Sequence, residues 1–242
     1  MPVKTITAPN NTAGKNILKS GNNYNTVHDA TAGTNAGNAD TKFTLHAKAG
    51  SNYFIRRGIL LYDFRDSASS FEIPRNIKVL RAQLIVNDVN ESAPQAGGDK
   101  VRVAWVFNPN TFGSFHANDY DKARYAASSY TSAQQLDNGA DGEIINLDNR
   151  MLLNRLQRAI NQKTFLHLVL RNELDYQDTT ATGNNRAWFD RPNADDNPMR
   201  LRIFYRVESG RRHIYGGRRA MSRSGFGSDS IAAGTSGGFG SF

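Results

Sequence analysis

Residues 199–207 read MRLRIFYRV, and their alternation decides the fold. Leu201, Ile203, Tyr205 and Val207 fall on one side of an extended chain, with Arg200, Arg202 and Arg206 on the other. A period of two is the mark of a half-buried β-strand. Working outward, the same period recurs in KVLRAQLIVND (78–88), where Leu80, Ala82, Leu84 and Val86 oppose Arg81, Gln83 and Asn87. TFLHLVLR (164–171) is apolar on both sides, as a strand covered on both faces is. VRVAWVF (101–107) and FIRRGILLYDF (54–64) are rich in β-branched and aromatic residues and read as further strands. Shorter strands are expected at 3–8, 24–31, 41–48, 143–147 and 186–190.

One segment carries a helical period. Leu152, Leu153, Leu156 and Ile160 recur at helix spacing in NRMLLNRLQRAINQ (149–162), with Asp148 as the expected N-cap. About ten strands, one short helix and Gly-, Asn- and Pro-rich turns predict an all-β fold. The expected architecture is an antiparallel jelly-roll β-sandwich with an extended C-terminal tail. A parallel α/β fold needs more helices than this chain has. The expected divisions are an N-terminal arm and first strand at 1–23, the sandwich at 24–207, and a Gly/Ser/Arg-rich interaction tail at 208–242. No repeat occurs at periods of 20 to 50 residues.

Composition narrows the chemistry. The 242 residues are 38% hydrophobic and 21% charged, with no Cys, so thiol catalysis, disulfides and zinc–thiolate sites are excluded. No run of 18 apolar residues occurs, which argues against a spanning helix. The first thirty residues lack the basic and apolar regions of a secretory signal, so synthesis in a host cytoplasm is expected. Net charge is +8, of which the tail supplies +3 through five arginines against Glu208 and Asp229. The rest is spread over a mixed surface, and nucleic acid is not the expected partner.

No catalytic pattern stands out. His28, His46, His116, His167 and His213 are scattered, without HExxH, and His167 reads as a core imidazole. No GxSxG or P-loop occurs. DNGADGEIINLD (137–148) partly matches a calcium loop, with Asp137, Asp141 and Asp148 at positions 1, 5 and 12 and Gly142 at 6. Gly139 at position 3 has no ligand atom, and a glycine-rich strand connection explains the same letters. No metal or cofactor is expected. Tyr120, Tyr125, Tyr130, Tyr176 and Trp188 are the aromatics available for stacking on sugars, against a core role for the two tryptophans, Trp105 and Trp188. In the tail, Arg211, Arg212, Tyr215, Arg218, Arg219, Phe226, Phe239 and Phe242 offer cations and small apolar anchors for docking on another protein.

Residues 24–207 carry a series of motifs in a familiar order. HDATAGTNAGNADTKFTL (28–45) opens it, followed by RRGILLYDF (56–64), FEIP (71–74) and VLRAQLIV (79–86). DNRMLLNRLQRAI and FLHLVLRN come next, and AWFDRPNADDNPMRLRIFYRV (187–207) closes it. The series resembles the DNRLRE-domain group, a β-sandwich family related to disaggregatase repeats and to a class of carbohydrate-binding modules. The namesake hexapeptide is absent, and the family's Phe-Asp order stands here as Asp63-Phe64. The resemblance implies a jelly-roll sandwich used for adhesion, carbohydrate contact or assembly, without catalysis.

Together these features give the expectation of a non-enzymatic structural protein of a tailed-phage virion, decorating a capsid or building an appendage. Its expected partners are other virion proteins and copies of itself, without a membrane. The arm from Pro2 to Lys19 and the C-terminal tail would lie across neighbours. The alternative is a carbohydrate-binding module that adheres to surface glycans.

Overall fold

A computed structural model describes residues 4–8, 13–35, 44–65, 76–87, 89–109, 115–137, 142–188 and 199–208. The chain divides into two units, Met1–Glu208 and Ser209–Phe242. The first unit is all-β. Its elements are β1 (Lys4–Ala8), β2 (Ala13–Gly21), α1 (Tyr24–His28), β3 (Thr34–Asn35), β4 (Thr44–Ala49), β5 (Asn52–Asp63), β6 (Ile77–Val86) and β7 (Asn90–Ser92). They continue as β8 (Lys100–Trp105), β9 (Gln134–Gln135), β10 (Glu143–Asn146), α2 (Arg150–Asn161), β11 (Phe165–Asn172), α3 (Glu173–Tyr176), β12 (Asn184–Trp188) and β13 (Arg200–Val207).

Two sheets form, and all their described pairings are antiparallel. The smaller has the order β1-β13-β6-β10, and the larger runs β7-β12-β4-β5-β11-β8-β9. β5 organises the larger sheet because it is long enough to hold three partners. It pairs with β2 over residues 53–61, with β4 over 52–56 and with β11 over 58–63. The segment expected as an N-terminal arm is thus part of the sandwich. β1 lies along β13, and β2 along β5.

The main core lies between the sheets. It gathers Leu60, Tyr62, Leu84, Val103, Leu168 and Leu201 with the apolar side of α2, Leu152, Leu156, Ala159 and Ile160. Two polar side chains fasten α2 to β6, because Gln157 Oε1 accepts from the Val79 amide at 3.2 Å and Asn161 bonds both backbone groups of Ile77. The helix starts one residue later than the sequence suggested. Asn149 is the N-cap, accepting from the Met151 and Leu152 amides at 2.9 and 3.2 Å. Asp148 bonds the Ser132 amide and hydroxyl instead.

A second core covers the opposite face of the larger sheet. Ile17, Ile55, Ile59, Ala104 and Val169 meet Tyr24 and Val27 of α1 and Tyr120 and Tyr125 of the 3-10 turns between Ala117 and Ser129. This layer explains why β11 is buried on both faces, as its sequence predicts. It also corrects two readings. Residues 24–28, expected as strand, form a helix whose N-cap Asn23 accepts from the Thr26 amide at 3.1 Å. Leu80, expected on the core face, is 41% exposed. A bulge pairs Tyr205 with Val79 and Phe204 with Arg81, skipping Leu80 and resetting the alternation.

Candidate functional site

The sequence-predicted tyrosines converge, but on each other and on buried charge. Arg57 of β5 and Arg171 of β11 project into the second core, where α3 delivers Asp175. Alternation alone would put apolar residues at both positions, so these arginines are the exception that needs an explanation. Asp175 supplies it. Arg57 donates through Nε and a terminal nitrogen to the two carboxylate oxygens at 2.9 and 2.7 Å, and Arg171 Nε adds a bond at 2.7 Å. All three side chains are buried.

Two cations and one anion leave an excess positive charge, which the surroundings absorb. Arg57 donates to the Tyr120 and His28 carbonyls at 2.6 and 3.0 Å, and Arg171 to the Asp175 carbonyl and the Tyr130 hydroxyl at 2.7 and 2.9 Å. The Arg57 guanidinium lies 4.2 Å from the Tyr120 ring centre, in cation–π contact. The Tyr125 hydroxyl binds the Asp119 and Tyr120 carbonyls at 2.6 and 3.0 Å. Burial would raise the Asp175 carboxyl, but Arg171 and Arg57 outweigh it and hold it well below the ordinary carboxylate range.

His28 borders this cluster. Nε2 meets the Asp175 carbonyl at 2.9 Å, while Nδ1 lies 2.7 Å from Asp29 and 3.0 Å from Asp178. Tyr24 stacks on the His28 ring at 5.4 Å and its hydroxyl is 3.5 Å from Nε2 of the fully buried His46. Burial lowers the His46 pKa to about 4, so at neutral pH it is uncharged. The charged tips of Arg57, Arg171 and Asp175 are all turned inward. The arrangement can hold layers together.

The glycan-stacking set is therefore corrected for three of its members. Tyr120 and Tyr125 are buried, and Tyr130 is partly buried, with its hydroxyl committed to Arg171. Tyr176 is 37% exposed but lies between the Arg102 guanidinium, 4.4 Å away, and the Tyr130 ring at 4.7 Å. Trp188 ends β12, with its side chain outside the described residues. Of the calcium-loop residues, Asp137 is exposed, Asp148 is bonded to Ser132, and Asp141 lies outside the described residues. Among the described residues no three His, Asp or Glu side chains gather as metal ligands. The tail set Arg211, Arg212, Tyr215, Arg218, Arg219, Phe226, Phe239 and Phe242 lies outside the described residues, in the second unit.

Two surface features escaped sequence reading. The first is the outer face of the smaller sheet, which carries Lys78, Arg81, Arg200, Arg202 and Arg206 around the exposed aliphatics Leu80 and Ile144. The second is a cleft beside α2 that exposes Phe107 and part of Trp105. The alternation of MRLRIFYRV showed the arginine row, but only strand order brings β6 and β10 beside it. No family model matches this chain, and no curated protein matches it in sequence.

Proposed function

We propose that this chain is a non-enzymatic structural subunit of a tailed-phage particle. It is a capsid-decorating or appendage-forming protein of jelly-roll type that acts by burying interface. The supporting observation is an asymmetry of cover. The larger sheet has a second layer over its outer face, whereas among the described residues the outer face of the smaller one keeps two large aliphatics exposed. Leu80 and Ile144, 41% and 39% exposed, sit there among five cations. Ile144 stands opposite Ile85, five residues along β6 from Leu80, so the face intersperses exposed aliphatics with arginine, a composition that suits a protein interface. Two such faces repel each other, so the face fits an acidic neighbour in a heterologous contact better than its own copy. The tail residues Arg211 to Phe242 act as a clamp on neighbours in this reading.

The test compares limited trypsin digestion of the isolated protein with digestion of the assembled particle, tracking residues 208–242 by mass spectrometry. Cleavage after Arg211, Arg212, Arg218 and Arg219 in isolation, with protection in the particle, is expected. Equal cleavage in both removes the clamp. A second arm substitutes Ile144→Asp and Arg202→Glu, which is expected to cut incorporation into particles at least tenfold at unchanged melting temperature. Unchanged incorporation overturns the role of the sheet face.

A further inference from the structure

A cleft of about 620 Å³ opens between the C-terminal half of α2 and the ends of β8 and β11. Trp105 and Phe107 form one wall, with ring centres 6.0 Å apart, and Arg155 and Arg158 of α2 form the other. Beyond the two arginines a shallower groove continues along α2, past Asn154 and Met151 to Arg150. Two of the six large hydrophobic side chains left exposed among the described residues border this path, Phe107 at 47% in the cleft and Met151 at 36% in the groove. From Arg158 back to Arg150 the helix rises about 12 Å, the length of about four residues of extended chain.

The path is cationic along its whole length. α2 carries Arg150, Arg155 and Arg158 and no acid. Among the described residues no carboxylate lines the cleft or the groove. Asp148, the acid nearest to α2 in sequence, is bonded to the Ser132 amide and hydroxyl. Arg150 and Arg155 make no hydrogen bond or ion pair among the described residues, and Arg158 uses one nitrogen on Gln162 at 3.1 Å. The Arg155 guanidinium lies 4.1 Å from the centre of the Trp105 ring, which orients the planar group and leaves its N–H groups able to donate.

We infer that the cleft and groove bind an extended acidic peptide with an apolar anchor, a segment of a partner protein. Charge complementarity selects the occupant, and the order of side chains along the path sets its register. An aromatic or aliphatic side chain of the peptide packs on Phe107 and the open part of Trp105. Carboxylates two and four residues away fall on the same side of an extended chain and meet the guanidiniums toward Arg150. That end of α2 is the positive end of the helix dipole, so the acids run in the direction the dipole favours. A nucleic-acid strand fits less well, because it needs open ring faces for successive bases. Trp105 has Arg155 over its ring and the main core along one side, which leaves Phe107 as the open ring of the path. No residue of the path belongs to the outer face of the smaller sheet, so the inference goes beyond the assembly reading and does not rest on it.

The experiment uses the full chain and follows the fluorescence polarisation of labelled peptides. FSESE and its reverse, ESESF, carry a phenylalanine anchor and two glutamates at alternate positions. FSQSQ and QSQSF remove the charge, ASESE and ESESA remove the ring, and an oligothymidylate is the nucleic-acid probe. At least one of the first pair is expected to bind saturably, at least tenfold more tightly than its glutamine and alanine versions and than the oligothymidylate. Phe107→Ala and Arg150→Ala, at opposite ends of the path and both exposed, are each expected to weaken that binding at least tenfold at unchanged melting temperature. Arg202→Ala, on the outer face of the smaller sheet, should leave it unchanged. Absence of saturable binding by both acidic peptides overturns the inference. So does equal binding of the glutamine or alanine versions, preference for the oligothymidylate, or an equal loss in Arg202→Ala, which would reveal diffuse attraction to a basic surface.

Discussion

Asp175 is the residue on which the second layer depends. Removing its carboxylate leaves two guanidiniums facing each other in a dry interior, so Asp175→Ala is expected to cost about 3–5 kcal/mol in urea unfolding. Acid should weaken the protein in two stages. His46 is held neutral by burial, with a folded pKa of about 4 against an ordinary value of 6.5, so the unfolded chain binds its proton first. Stability is therefore complete above pH 6.5 and falls by about 3 kcal/mol as pH drops to 4. His167, also lowered by burial, adds to the same slope. His46→Gln should flatten much of it when unfolding is measured between pH 7.5 and 4.5. Asp175 acts below that window. Its folded pKa is depressed, so its contribution is present above the ordinary carboxylate range and is lost as pH falls further, through the lower folded value. The roles of Asp175 and His46 were not legible in the sequence, whereas His167 was read there as a core imidazole and is buried. Arg57 and Asp175 are 118 positions apart, and no local pattern links a strand arginine to a distant short helix. The tyrosines were read as surface rings for the same reason, since the residues that bury them lie far along the chain.

At the scale of elements, reading was most secure where one face meets water and the other a core. β13, β6 and β11 lie close to where alternation placed them. It failed where local chemistry interrupts the period. Asn23 and Asn149 decide where two helices start, and the bulge at Leu80 inverts the facing of the residues before it. These local devices give sharp tests. Asn149→Ala should cost about 1 kcal/mol by removing two amide partners from the first turn of α2. Leu80→Lys should change stability by no more than about 0.5 kcal/mol, whereas Leu84→Ala, four residues on and fully buried, should cost about 2–5 kcal/mol. Equal costs at the two leucines would contradict the bulge. The cleft beside α2 lay beyond sequence reading because its walls come from three elements. Trp105 was read as core, and it does pack on the main cluster along one side while remaining partly open on the other.

At the scale of the molecule, the chain divides after Glu208, and every described strand and core residue precedes that point. A chain ending at residue 208 should therefore melt within about 2 °C of the full protein by calorimetry. A larger loss would mean that the tail contributes to the core. The buried charge cluster also bears on when the protein can fold. Its parts come from residues 28, 57, 120, 130, 171 and 175, with His28 meeting a carbonyl 147 positions away. While the chain is being made, β5 leaves the ribosome long before the aspartate that neutralises its arginine. At roughly 5–20 residues per second that delay lasts several seconds. Until then Arg57 favours water over the interior, which opposes premature closure of the second layer. Completion of this layer is thus deferred until most of the polypeptide has emerged, and nascent chains shorter than about 175 residues should expose the apolar face of the larger sheet to chaperones.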